Sequence, residues 1–389
     1  MNLPGFDATT TVVAPLQGVP QASLSNPYPG GLVPVTGKTF GTYTNLGGPA
    51  TWYTQNFDAG VNDRFNISVQ RQLPGKMLAD VTFFMNLGRN SPFTKDYNLV
   101  DPRIGFKNGN ATTTPVPNPF FGVLPIDKLP GQLRTQANIA TDQLLRPYPQ
   151  YGSLTESLIG GLDNRYKALQ VQVQRPFTNG FNFVLGYNYN SERNTEFYDN
   201  VDFYDNKLTW QPGRNPKQRL TAAAIYEVPF GKGRKFMTGA NNFVDGVLGG
   251  WSISGLYQIN TGNFLRFGGF VVSGADPSVS TPTNAQWFDT TKFVRIPAFT
   301  RRDNPLQYSN IKGPRYANTD LTLGKVFPIR KISENFKFEF KVEAYNLTNS
   351  FTGADPGTDV NTPATFGKIT AQRAGILGCQ IQFSGRFSF

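Results

Sequence analysis

Apolar and polar side chains alternate with a period of two along most of this chain, and that pattern leaves few folds open. In residues 379–389, Cys379, Ile381, Phe383, Gly385, Phe387 and Phe389 fall on one face. Gln380, Gln382, Ser384, Arg386 and Ser388 fall on the other. In residues 336–345, Phe336, Phe338, Phe340, Val342 and Ala344 alternate with Lys337, Glu339, Lys341, Glu343 and Tyr345. Phenylalanines spaced by two would point in different directions around a helix, so these runs are strands. The same period predicts strands over about 64–73, 78–87, 165–175, 181–190, 218–229, 251–261, 316–327, 335–347 and 379–389. Lys325 breaks the apolar row of the seventh once. Each run is about 10 to 13 residues long. Soluble strands usually have about 5 or 6 residues, whereas a tilted membrane strand needs roughly 9–11. The fold expected is therefore all-β: an antiparallel transmembrane β-barrel, of which this chain supplies about 9–10 long strands.

The connections add an independent signal. Residues 74–77, 176–180 and 328–335 are short and rich in Pro, Gly and Asn. Residues 88–164, 191–217, 262–315 and 348–378 are long, and 230–250 is intermediate. Short and long alternate, as in outer-membrane barrels with short periplasmic turns and long extracellular loops. The last strand then runs from outside to periplasm, and so does the first. Nine is odd, whereas bacterial single-chain barrels have even counts. At least one upward strand is therefore expected beyond these nine. Residues 1–60 are aperiodic and rich in Pro, Gly and Thr. They read as the remnant of a preceding extracellular loop, with residues 61–389 the C-terminal part of a barrel.

Composition narrows the function. The 389 residues include no His and a single cysteine, Cys379. That removes the usual general base, the Ser-His and Cys-His pairs, disulfides and zinc sites. Charged residues are 16%, well under the roughly 25% of ordinary soluble domains, and aromatics are 14%. No run of residues is apolar enough for a membrane helix, and the N-terminus has no signal-peptide pattern. The net charge is +11, but no basic run is interleaved with stacking aromatics, so nucleic acid is not an expected partner. No carboxylate pair stands out as an acid–base couple, and neither catalysis nor a cofactor is expected.

Several clusters carry specific expectations. Phe181, Tyr187, Tyr189, Tyr226, Trp251 and Tyr257 sit near strand ends, where barrels place aromatic girdles. Glu196, Asp199, Asp202 and Asp205 do not follow the spacing of a Ca²⁺ loop and read as a solvated, self-repelling loop. Arg193, Arg214, Lys217, Arg219, Arg301, Arg302, Lys312 and Arg315 lie in or beside long loops, where they could meet lipopolysaccharide phosphates or an anionic ligand. Mixed charges at Lys337, Glu339, Lys341 and Glu343 suggest cross-strand ion pairs on a polar lumenal face. Gly231-Lys232-Gly233 lacks the phosphate-loop spacing and reads as a periplasmic turn.

A set of short stretches resembles the barrel of TonB-dependent outer-membrane receptors, in particular the Oar-like branch with its carboxypeptidase-regulatory-like domain. They are residues 64–75 (RFNISVQRQLPG), 144–152 (LLRPYPQYG), 166–177 (YKALQVQVQRPF), 225–232 (IYEVPFGK), 248–254 (LGGWSIS), 341–349 (KVEAYNLTN) and 365–369 (TFGKI). The terminal Phe389 completes the set. The resemblance implies a C-terminal barrel portion whose plug, TonB box and remaining strands lie upstream. It implies non-enzymatic ligand capture by loops and gated passage, with contacts to outer-membrane lipid, lipopolysaccharide, the plug, the TonB system and the assembly machinery. Phe383, Phe387 and Phe389 resemble the family's C-terminal assembly signal. The ligand-binding residues are not identified. Two other readings stay open: a free-standing small barrel or loop-displaying adhesin, and a soluble carbohydrate-binding β-sandwich.

Overall fold

The computed structural model describes residues 5–6, 8–12, 14–129, 131–272, 276–329 and 336–389. Nine long strands follow one another in a single meander. They are β1 (Val61–Leu73), β2 (Met77–Asp96), β3 (Leu154–Thr178), β4 (Phe181–Phe197), β5 (Gln218–Glu227), β6 (Trp251–Asn260), β7 (Tyr316–Pro328), β8 (Lys337–Tyr345) and β9 (Gln380–Ser388). Each pairs antiparallel with its neighbour in sequence. Every expected strand overlaps one of them. Two short strands join the same sheet: Leu208–Pro212 beside β4, and Ala50–Tyr53 parallel to the start of β3. The sheet is open. β1 and β9 each keep one edge without a strand partner among the described residues.

Register carries the apolar set across all nine strands. Ile67 lies opposite Phe83, Phe83 opposite Leu169, and Leu169 opposite Tyr189. Leu185 lies opposite Ala222, and Ala222 opposite Tyr257. Ile253 lies opposite Leu323, Leu323 opposite Val342, and Val342 opposite Phe383. This face is uncovered: Ile67 is 72% exposed and Phe383 68%. The remaining sheets among the described residues are two-stranded pairs within connections, so no second sheet packs on it. A β-sandwich would bury this face, and that reading is therefore wrong. An apolar face of this extent calls for lipid. The opposite face is polar, with Ser68 and Thr82 hydroxyls 2.8 Å apart and Gln70 donating to Asp80 at 2.6 Å. The charged row of β8 forms its ion pair along the strand, Lys341 to Glu339 at 3.0 Å, rather than across strands as the alternation suggested.

Turn chemistry fixes the short end. Asn179 (φ 53°) and Gly180 (φ 76°) join β3 to β4, with Thr178 opposite Phe181. Two consecutive positive φ values make a type I′ hairpin, which suits Asn-Gly because neither residue resists that region strongly. Pro74, Gly75 and Lys76 make the first turn. Residues 228–250 lie at the same end and hold a helix, Asn242–Leu248. Of the expected turn 328–335, residues 330–335 lie outside the described residues, as does the first residue of the expected eighth strand.

The long end differs from expectation. β2, β3 and β4 continue well beyond the alternating runs. The pleat needs an apolar face only where lipid touches it, while the backbone ladder continues past that level. β-Bulges between Gly88 and Lys95 mark the change in β2.

Candidate functional site

The long connections fold on one another at a single end of the sheet. Leu265, Phe267, Phe288, Phe293, Ile311 and Phe366 form a buried core that unites residues 261–315 with 346–379. Phe288 is fully buried and meets Phe267 at 5.3 Å and Phe366 at 5.2 Å between ring centroids. A second core of Leu46, Leu129, Leu133 and Ile139 ties residue 46 into the connection 97–153. Asn98, fully buried, staples that connection. Its amide donates to the carbonyls of Tyr148 (2.9 Å) and Gly152 (2.7 Å), and its oxygen accepts from the Tyr148 N–H (2.8 Å). Nothing in the local sequence marks Asn98, because its partners lie fifty residues away.

Ion pairs cross between these connections. Arg266 holds Glu196 through two short bonds, Arg103 pairs with Asp205 at 2.6 Å, and Arg301 reaches Asp199 at 2.6 Å and Asp202 at 3.2 Å. The acidic cluster is thus not a solvated, self-repelling loop. Each carboxylate meets an arginine from elsewhere in the chain, a pairing invisible at local spacing. Asp199 also caps the helix Asn200–Tyr204 by accepting from the Asp202 N–H. Burial pushes the Asp199 carboxyl up, but Arg301 and the capping N–H outweigh it and hold it below the usual carboxylate range. Hydrogen bonding to Asp199 raises the Arg301 guanidinium in turn.

A cavity of about 590 Å³ opens between these groups, lined among others by Phe106, Phe197, Phe203, Arg301, Arg302 and Leu306. Its cations are engaged. Arg302 stacks on Tyr198 at 4.8 Å and donates to the Phe267 carbonyl at 3.1 Å. The chamber is therefore a mixed aromatic and polar recess rather than a bare anion site. Tyr308 packs against the first core; burial pushes its phenol up to about 12, and its hydroxyl finds no hydrogen-bond partner among the described residues. Of the other basic residues expected at loop bases, Arg193 donates to the Trp210 carbonyl, and Lys217 and Lys312 lie over the Phe264 ring. No cluster of His, Cys, Asp or Glu suited to a metal occurs among the described residues.

The six aromatics expected in girdles all lie on the apolar face. Phe181, Tyr226 and Trp251 gather at the short-turn end, with Phe181 and Tyr226 6.2 Å apart and directly opposite in register. Tyr187, Tyr189 and Tyr257 lie further along β4 and β6, Tyr257 level with Ala222. Phe383 and Phe387 sit on the same face of the edge strand β9, and Phe387 packs on Phe338 at 4.7 Å. Phe389 follows the strand, almost wholly exposed.

A nine-stranded meander with an uncovered apolar face, short turns at one end and a folded loop layer at the other defines a membrane-barrel architecture. The family model described as outer membrane beta barrel domain matches residues 1–382, and the chain belongs to that family. Its place is the outer membrane, so the short turns are periplasmic and the loop layer extracellular. Among solved structures, the outer membrane transporter YddB from Escherichia coli is similar at 8% identity and a TM-score of 0.44, covering 87% of this chain and 34% of that one. The pyoverdine outer membrane receptor FpvA from Pseudomonas aeruginosa PAO1 is similar at 10% identity and a TM-score of 0.35, covering 85% and 30%. This chain thus spans about a third of the length of these structures. No curated protein sequence matches it.

Proposed function

We propose that the chain is the C-terminal barrel portion of a TonB-dependent outer-membrane receptor of the Oar-like branch, and that it captures a ligand for uptake without covalent chemistry. The observation that carries this reading is the folded extracellular layer. Two aromatic and aliphatic cores and three arginine-to-acid links fix four connections around one recess of about 590 Å³. A display surface has no need of a chamber with a rigid frame. Residues 1–60 belong with this layer as part of a preceding extracellular loop, and Ala50–Tyr53 already pairs with β3 there. The polar face would meet a plug, and Phe383, Phe387 and Phe389 on the exposed edge strand would engage the assembly machinery by strand pairing.

The test is uptake by cells that make the natural protein. Disrupting its gene should abolish uptake of one member of a panel of ferric chelates, oligosaccharides and peptides. Collapsing the inner-membrane proton gradient should reproduce that loss. Unchanged uptake of the whole panel after gene disruption would contradict the proposal.

A further inference from the structure

The connection between β5 and β6 is unlike the other periplasmic turns. It is an ordered platform. The Phe236 N–H donates to the Pro229 carbonyl at 2.9 Å, and the Gly231 N–H donates to the Phe236 carbonyl at 3.0 Å. The rings of Phe230 and Phe236 lie 5.5 Å apart. Asp245 accepts from the Lys232 N–H at 2.7 Å, and a Cβ added at Gly231 or Gly249 would strike its carboxylate.

This platform is fastened to the lipid-facing side of the sheet. Trp251 and Lys325 lie opposite each other in register, in the apolar rows of β6 and β7. The Trp251 indole N–H donates to the Val247 carbonyl at 2.9 Å. The Lys325 ammonium donates to the Val247 and Gly249 carbonyls, both at 2.8 Å, and lies over the Trp251 ring at 4.8 Å. Lys325 thereby ties down the C-terminal end of the helix Asn242–Leu248, where a cation complements the free carbonyls. The helix is held against the side of the sheet that faces lipid.

What the platform then shows outward is apolar. Phe243 is 79% exposed, and Phe230, Phe236, Met237, Val247 and Leu248 are exposed with it. Basic residues stand beside them: Lys232, Arg234 and Lys235, all exposed, against the single acid Asp245 in residues 230–250. Exposed rings next to lysines are the composition of an element that lies in a membrane interface, with rings at the acyl boundary and cations at the phosphates.

We propose that residues 230–250 form an interfacial anchor seated in the periplasmic phospholipid leaflet, with Phe243, Val247 and Leu248 inserted and Lys232 and Lys235 meeting anionic headgroup phosphates. This rests on the outer-membrane placement of the sheet and not on any ligand of the loop layer.

The test uses the protein purified from outer membranes and reconstituted in phosphatidylcholine vesicles. Phe243→Cys in a Cys379→Ser background carries an environment-sensitive fluorophore, and Phe83→Cys on β2 is the control. The expected result is blue-shifted emission at 243, quenched more by a nitroxide near the headgroup than by one at the acyl end. Adding phosphatidylglycerol should deepen the shift, and Lys232→Gln with Lys235→Gln should remove that increment. Water-like emission at 243 with quenched emission at 83 overturns the anchor and leaves the barrel standing. Water-like emission at both positions overturns the anchor together with the lipid-facing sheet. Quenching at 243 that ignores phosphatidylglycerol overturns the headgroup contact.

Discussion

At the scale of single residues, two buried polar side chains decide local structure that hydrophobic pattern cannot. Lys325 is 3% exposed in an apolar row, and its two carbonyl partners are what make that position tolerable. Lys325→Met keeps most of the packing and orphans both carbonyls. The expected cost is about 1–3 kcal/mol, seen as a lower thermal midpoint and a changed Trp251 emission. Asn98 does the same for the extracellular layer. Asn98→Ala should cost about 1–3 kcal/mol and make residues 97–153 susceptible to protease while strand content by circular dichroism holds. The alternating pattern flagged Lys325 only as an interruption, because its partners, at the C-terminal end of a helix, lie 76 and 78 residues away. It did not flag Asn98 at all.

At the scale of elements, the strands were legible and the loop layer was not. A strand against lipid must alternate residue by residue, so β1, β5, β6, β7, β8 and β9 declare themselves within three residues of their ends. The extensions of β2, β3 and β4 leave no such record, since above the lipid neither face has to be apolar. The loop layer is built from contacts between residues far apart in sequence, such as Phe288 with Phe366 and Arg103 with Asp205. Phe288→Ala should remove the centre of its core at about 3–5 kcal/mol, releasing residues 261–315 to protease before the sheet melts. The Asp199 pair adds a pH dependence. Its carboxyl titrates below the free value of 3.8, so its contribution is complete above that value and fades as pH falls through the lowered one. Arg301 is half exposed and screened, so the pair is worth only about 1 kcal/mol. Loop proteolysis should accelerate below about pH 4, and Asp199→Asn should flatten that response.

At the scale of the whole molecule, the strand count constrains assembly. With nine long strands among the described residues in an up-and-down meander, β1 and β9 run in the same direction, so joining them would need a parallel pair. Antiparallel closure needs an odd number of further strands between those edges. Unpaired edges in lipid cost several kcal/mol per exposed group. The 389-residue chain made alone should therefore give no heat-modifiable monomer on a gel, and a compact, heat-shifted monomer band would contradict the open sheet. The central claim is narrower: one face of this sheet touches lipid and the other does not. The direct measurement is a single-cysteine scan of residues 337–344 on β8, in a Cys379→Ser background in outer membranes, with fluorophores read by lipid-borne nitroxides. Phe338, Phe340, Val342 and Ala344 should be quenched, and Lys337, Glu339, Lys341 and Glu343 should not. Uniform quenching, or none at any position, would contradict a barrel wall.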